Sequence, residues 1–178
     1  MRSYTDGEAG LLEAWGLVPA EVKTEALNGG WYRESRRTAR ALARKHGHTL
    51  SRSAGVIAAL SPRTQWAANI SGADHILGGG DTGPGFNANV EKACRIRDGE
   101  RPLQVLGGPK VTAFYRAIMG DKHAAVVDVW MWRAMGVAPG DVPYAVAEAA
   151  LREAASKAGV AVADFQAIVW TQVRGGAL

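Results

Sequence analysis

The sequence has 178 residues, 47% of them hydrophobic, which is enough to fill the core of one domain and too apolar for disorder throughout. Its formal net charge of +4 favours a polyanionic partner. The single cysteine, Cys94, excludes an internal disulfide, a four-cysteine iron–sulfur cluster and a zinc ribbon, and it fits a reducing cytoplasm. No apolar run approaches the roughly 20 residues that span a bilayer, so we expect a cytoplasmic protein with no membrane partner.

The first predicted helices lie near the N-terminus. One covers about residues 20–28 and ends at a Gly-Gly pair, and a second covers about residues 31–45. The second helix carries Arg33, Arg36, Arg37, Arg40 and Arg44. Several of these arginines are expected to share a solvated face.

Two histidines follow this helix. His46 and His48 suggest a metal pair, but no Cys or His cluster elsewhere completes a site, so solvated loop histidines and no metal are expected. Residues 53–60 are small and apolar enough to be buried. Trp66, Ile70, Ala73 and Leu77 then keep the spacing of one buried helix face, which predicts a helix from about Thr64 to Leu77.

A glycine-rich loop, residues 78–85, comes next, and it lacks the Gly-Lys-Ser/Thr sequence of a nucleotide-binding loop. A short helix over 89–97 and a polar connector over 98–102 lead to a tight turn at 106–110. The helix after this turn has Val111, Phe114, Tyr115 and Ile118 on one apolar face.

The apolar residues 124–127 lead to Asp128, which stands at the N-cap position of a predicted helix over 129–135. Helices over about 142–158 and 163–174 complete the chain. Because no segment alternates as a half-buried strand does, the sequence predicts an all-α fold in a single domain covering residues 1–178.

The turn and the aspartate together carry a resemblance. Residues 106–113, LGGPKVTA, followed by residues 127–133, VDVWMWR, resemble the helix-hairpin-helix DNA glycosylase superfamily in its endonuclease III and adenine glycosylase branch. That branch has a hairpin of the form L-P-G-V-G-x-K-T-A and then V-D-T-H-V-x-R. Residues 59–65, ALSPRTQ, and residues 89–96, NVEKACRI, are similar to two further family segments. The resemblance runs in order from about Val56 to Arg174.

The resemblance implies an enzyme that cleaves the N-glycosidic bond of a damaged, mismatched or modified base in double-stranded DNA. The catalytic segment is expected within residues 103–135, with Asp128 stabilising the sugar cation and activating the nucleophile. The hairpin amides would bind a phosphate. The residues that the resemblance implies at the DNA surface are Gly107, Gly108, Lys110, Thr112, Arg63 and Gln65. The residues implied for a base pocket are Trp66, Trp31, Tyr32 and Trp130, each of which also suits ordinary packing.

The chain departs from the family in three places. The hairpin is two residues shorter, Val129 and Trp130 replace the family's Thr-His, and the iron–sulfur loop is absent. Lys110 keeps the spacing of the lysine that forms a Schiff base in members with lyase activity, and a surface lysine or phosphate contact is its alternative role. No cofactor is expected, although the resemblance implies a monovalent cation at the hairpin. The protein is expected to be a monomer.

Two other functions remain open on the sequence. An enzyme of a phage or bacterial system that modifies or exchanges DNA bases would keep Asp128 and the same fold. A helix-hairpin-helix module that only binds DNA would need the hairpin and no catalytic carboxylate. For such a module Asp128 would be a helix cap alone.

Overall fold

The computed structural model describes residues 4–175, and every regular element in that range is a helix. The all-α prediction is therefore confirmed. None of these helices is long and apolar enough to span a membrane. The helices are α1 (Tyr4–Gly16), α2 (Ala20–Gly29), α3 (Trp31–His46), α4 (Leu50–Leu60), α5 (Trp66–Leu77), α6 (Asn87–Arg97), α7 (Pro102–Val105), α8 (Pro109–Met119), α9 (Val129–Ala134), α10 (Tyr144–Ala158) and α11 (Val162–Arg174).

The contacts between Cα atoms divide the chain into two compact units. The terminal unit comprises residues 1–32 and 121–178, and the central unit comprises residues 33–120. Each unit has its own buried side chains. The expectation of a single domain stays a prediction.

The core of the terminal unit lies among α1, α9, α10 and α11. Leu11, Met131, Leu151 and Phe165 are fully buried there. The sequence analysis did not predict α1, whose two inner glycines weaken a helix. Packing explains the glycine at position 10, because a Cβ there would collide with the carbonyl oxygen of Ala134. Tertiary contact therefore outweighs local propensity in α1.

The centre of the other unit is α4, in which all eight residues from 53 to 60 are buried, as predicted. It packs against α5, α6, α7 and α8. Gly55 permits the close approach of α7, since a Cβ there would meet the ring of Pro102 at 2.7 Å. The short helix α7 begins at Pro102, the last residue of the predicted polar connector over 98–102. Pro102 occupies its first position, which needs no N–H donor.

The two histidines at the end of α3 are fixed, and the expectation of solvated loop histidines was wrong. The Nε2 atom of His46 lies 2.6 Å from Oδ1 of Asp74, and that of His48 lies 2.9 Å from the carbonyl oxygen of Leu77. Both rings are partly buried against α5, which supplies these polar partners. Within residues 4–175 no three His, Cys, Asp or Glu side chains group as a metal site would.

Candidate functional site

Asp128 is the N-cap of α9 in the terminal unit. Its Oδ1 atom accepts hydrogen bonds from the backbone N–H groups of Trp130 and Met131, each at 3.0 Å. The four residues before it, 124–127, are buried, while Asp128 itself is partly exposed. The carboxylate is thus held in place at the N-terminus of a helix by two backbone amides.

Two buried or half-buried phenols lie in the electrostatic field of this carboxylate. Burial is the main cause that raises the pKa of Tyr32 well above its ordinary value, and the charge of Asp128 is the second. Burial raises the pKa of Tyr144 to about 12, against a lowering effect from the N–H of Val127, which donates to its hydroxyl at 3.1 Å. Both phenols therefore stay neutral hydrogen-bonding groups at physiological pH.

Tyr32 also reaches a polar partner inside the terminal unit. Its hydroxyl donates to Oε1 of Gln166, which is 3% exposed, at 2.7 Å. Trp31 packs edge-on against Tyr32 and at a tilt against Trp170. Trp31 and Tyr32, two of the predicted base-pocket residues, line one cavity of about 290 Å³ between α2 and α11, together with Val22, Ile168 and other mostly apolar residues.

The third predicted pocket residue of this unit, Trp130, is placed differently. It packs against the core of the terminal unit, and the guanidinium of Arg133 lies 4.5 Å from the centre of its ring. It does not line the cavity beside Trp31 and Tyr32. The predicted set of pocket aromatics is therefore brought together only in part.

The hairpin belongs to the central unit and consists of Leu106, Gly107 and Gly108 between α7 and α8. Leu106 is buried, whereas both glycines are exposed. Gly108 has φ 80°, a conformation that side chains disfavour, and it stands at the N-cap of α8 with no side chain to cap the helix. The first amides of α8 therefore need an acceptor from outside the hairpin.

Three polar side chains lie at or beside this hairpin. Lys92 places its Nζ atom 3.3 Å from where a Cβ of Gly107 would be. Lys110 and Thr112, in the first turns of α8, are partly exposed. Neither lysine makes an ion pair or hydrogen bond within the described residues, so both ammonium groups are available to an anion.

The predicted wedge segment lies between α4 and α5. Arg63 and Gln65 are exposed, while Trp66 is partly buried as the first residue of α5. Arg63 has φ 59°, and its guanidinium lies 5.7 Å from the ring centre of Phe86, an aromatic residue that is 54% exposed. An exposed aromatic ring and a cation thus stand side by side at one end of α5.

Charge is unevenly divided between the two units. The central unit contains fourteen Lys and Arg against six Asp and Glu, a formal charge of +8. The terminal unit contains seven against eleven, a formal charge of −4. The modest net charge of the chain therefore conceals a strongly basic segment.

The sequence pattern of a family described as of unknown function, DUF7178, matches residues 19–177. The chain belongs to this DUF7178 family. No curated protein and no solved structure matches it. The match covers α2 to α11, and so includes the hairpin, Asp128 and the aromatic cavity of this DUF7178 protein.

Sequence reasoning missed four residues of these sites: Gln166, Tyr144, Lys92 and Phe86. Only Gln166 had a signal, because it falls four residues after Val162 and three before Val169, on the apolar face of α11. A polar residue at such a position requires a buried partner. Lys92 reaches Gly107 only through the tertiary packing of its unit, which no local pattern reveals.

Proposed function

We propose that this DUF7178 protein is a DNA glycosylase that cleaves the N-glycosidic bond of a damaged, mismatched or modified base. The proposal rests on the resemblance to helix-hairpin-helix glycosylases together with the chemistry of two groups. These groups are the hairpin of the central unit and Asp128 of the terminal unit.

The observation that carries the proposal is the setting of Asp128. Two backbone N–H groups, those of Trp130 and Met131, hold Oδ1 at the N-terminus of α9. A fixed negative charge of this kind stabilises the positive charge that develops on the deoxyribose when the base departs. Two neutral phenols nearby, Tyr32 and Tyr144, add no competing charge.

The reaction is a hydrolysis at the anomeric carbon. The bond between that carbon and the base nitrogen breaks, and the base leaves with the bonding electrons. A water molecule then bonds to the same carbon, and Asp128 accepts its proton, which finally passes to solvent or to the departed base. In the lyase alternative the amine of Lys110 would replace water as the nucleophile.

The hairpin would hold DNA by its phosphates. The amides at the start of α8 suit a phosphate oxygen, and the exposed Gly107 and Gly108 allow close approach. Lys92 and Lys110 would add charge that carries no base preference. The ammonium of Lys92 disfavours the monovalent cation that the resemblance implies at the hairpin, so no step of this mechanism uses one.

The cavity beside Trp31 and Tyr32 supports a flipped base as ligand. Its volume of about 290 Å³ is near the lower end for small-ligand pockets, and its walls are mostly apolar. An aromatic side chain can stack on an extruded base, and the unstacking energy is lowest for damaged or mismatched bases.

The first test is Asp128→Asn, because asparagine caps a helix about as well as aspartate while lacking the charge. We expect melting temperature and DNA binding to stay close to those of the parent. Base release from duplexes with uracil, oxidised, alkylated or hydroxymethylated bases should fall at least 100-fold, as is typical of a lost catalytic carboxylate. Base release is measured by chromatography of the free base.

The matched control is Asp121→Asn in the same unit. The Oδ1 atom of Asp121 also accepts a backbone N–H bond, from His123 at 2.9 Å, but it lies outside the proposed chemistry. Its activity should match the parent. Equal loss in both variants, or full activity in Asp128→Asn, would contradict the proposal.

A DNA-binding module without chemistry is the second candidate, and the +8 charge of the central unit favours it. For such a module no duplex would lose or change a base, while affinity for undamaged DNA would remain. A base that is altered or exchanged, with Asp128 required, would instead indicate the base-modifying enzyme.

A further inference from the structure

One side of α3 in the central unit carries five arginines, more cationic residues than the hairpin. With about 100° between successive residues, Arg33, Arg36, Arg37, Arg40 and Arg44 fall within a sector of about 100°. We call this set the α3 arginine stripe. It extends along about 16 Å of helix axis, at about 1.5 Å per residue.

Four of the five stripe residues, Arg33, Arg37, Arg40 and Arg44, are exposed, and Arg36 is partly buried. Arg37 pairs with Glu34 on the same helix. Arg40 and Arg44 are exposed and make no ion pair or hydrogen bond with any described residue. Arg36 has a buried Nε atom that finds no acceptor in the described part of the chain.

Helix stability does not explain this arrangement. Pairs of like charge three or four residues apart, such as Arg36 with Arg40 and Arg40 with Arg44, destabilise a helix. Cations in the first turns, such as Arg33, also face the positive end of the helix dipole. Only Arg44, in the last turn, is favoured by it. A bound polyanion would offset this repulsion, because its negative charges would attract all of the arginines.

We propose that the α3 arginine stripe is a second, sequence-independent contact to the phosphate backbone of double-stranded DNA, in addition to the hairpin. The inference rests on the proposed function only in taking duplex DNA as the partner. Guanidinium groups bind phosphate in a planar, two-pronged manner. A straight stripe of about 16 Å matches the length of roughly five phosphates along one strand of a duplex, at about 3.4 Å of helix axis per charge.

The opposite side of α3 argues against a lipid surface. Helices that lie on membranes insert an apolar face beside their basic one. In α3 that face, formed by Ala39, Leu42 and Ala43, is already buried within the protein. The stripe is therefore suited to a rigid polyanion outside the protein.

The test compares Arg40→Gln/Arg44→Gln with the parent on an undamaged fluorescent DNA duplex, by anisotropy from 50 to 400 mM salt. Loss of two phosphate contacts should reduce the slope of log K against log salt by about 1.8. If the affinities converge at about 1 M salt, this corresponds to about 60-fold weaker binding at 0.1 M.

The matched control is Arg95→Gln/Arg152→Gln, which removes the same charge from two exposed arginines that are paired with Glu100 and Glu148. Its slope should stay within about 0.5 of the parent value. Without DNA the stripe variant should melt close to the parent, since the repulsion relieved within α3 offsets the loss of Arg44 from the last turn. A lower melting temperature would contradict the claim that the stripe has no structural role.

An unchanged slope in the stripe variant, or an equal loss in the control, would overturn the inference. An unchanged slope with base release intact would overturn the stripe and leave the glycosylase. The expected slope change with no base released from any duplex would overturn the glycosylase and leave the stripe.

Discussion

Arg63 has a backbone conformation that side chains disfavour, and it is the single such non-glycine within residues 4–175. Strain of this kind costs about 1–2 kcal/mol and often marks a functional turn. Arg63→Gly should therefore raise the free energy of unfolding by about 1 kcal/mol in urea titrations, while weakening DNA binding through loss of the cation beside Phe86.

The control for this substitution is Arg63→Lys, which keeps both the charge and the strain. It should leave stability and DNA affinity close to those of the parent. If Arg63→Gly binds DNA as tightly as the parent, the side chain of Arg63 does not contact DNA.

Tyr144 gives a pH-dependent prediction. Its pKa is about 12 in the folded chain, above the unfolded value near 10, so its stabilising effect is complete below pH 10 and is lost as pH rises towards 12. Tyr144→Phe should cost about 1 kcal/mol at pH 7, through the lost bond from Val127. The gap from the parent should close between about pH 10 and 11 and reverse as the pH approaches 12, in urea titrations followed by circular dichroism.

A constant gap across that pH range would show that Tyr144 ionises equally easily in both states.

Sequence reasoning identified Asp128 as a helix cap because a cap is a local feature. The pairing of Tyr32 with Gln166 joins residues 134 positions apart, and nothing local specifies it.

At the scale of the element, helices with regular apolar spacing were predicted to within about two residues at most ends. The sequence predicted 163–174 and 142–158, and the structure has Val162–Arg174 and Tyr144–Ala158. It missed α1 and α7. Helix α1 contains glycines, which lower helix propensity, and α7 is a single turn of four residues.

Gly10 inside α1 and Gly16 at its end test this explanation. Gly10→Ala should lower the free energy of unfolding by about 1–3 kcal/mol, because the added methyl group meets the backbone carbonyl of Ala134. Gly16→Ala, in the same helix with open space around it, should raise stability by up to about 1 kcal/mol. Urea denaturation of both variants measures the difference. Similar effects at both positions would mean that α1 does not pack closely on α9.

At the scale of the whole molecule, composition predicted the fold class but concealed the charge distribution. A net +4 is unremarkable, whereas +8 on one unit and −4 on the other emerges only when the two units are known. The same is true of the α3 arginine stripe. The sequence analysis expected a solvated face there, and the lack of acidic partners for Arg40 and Arg44 is what distinguishes it.

The first helix also bears on how the chain tolerates shortening. The family's shared pattern begins at residue 19, yet Leu11 is fully buried and Trp15 stacks on Phe165 at 4.9 Å between ring centres. Removing residues 1–18 would delete Leu11 and Trp15 and expose the apolar side chains that they cover, including Phe165. The newly exposed apolar surface would favour self-association. Helix α1 is therefore part of the hydrophobic core, although it lies outside the family's shared pattern.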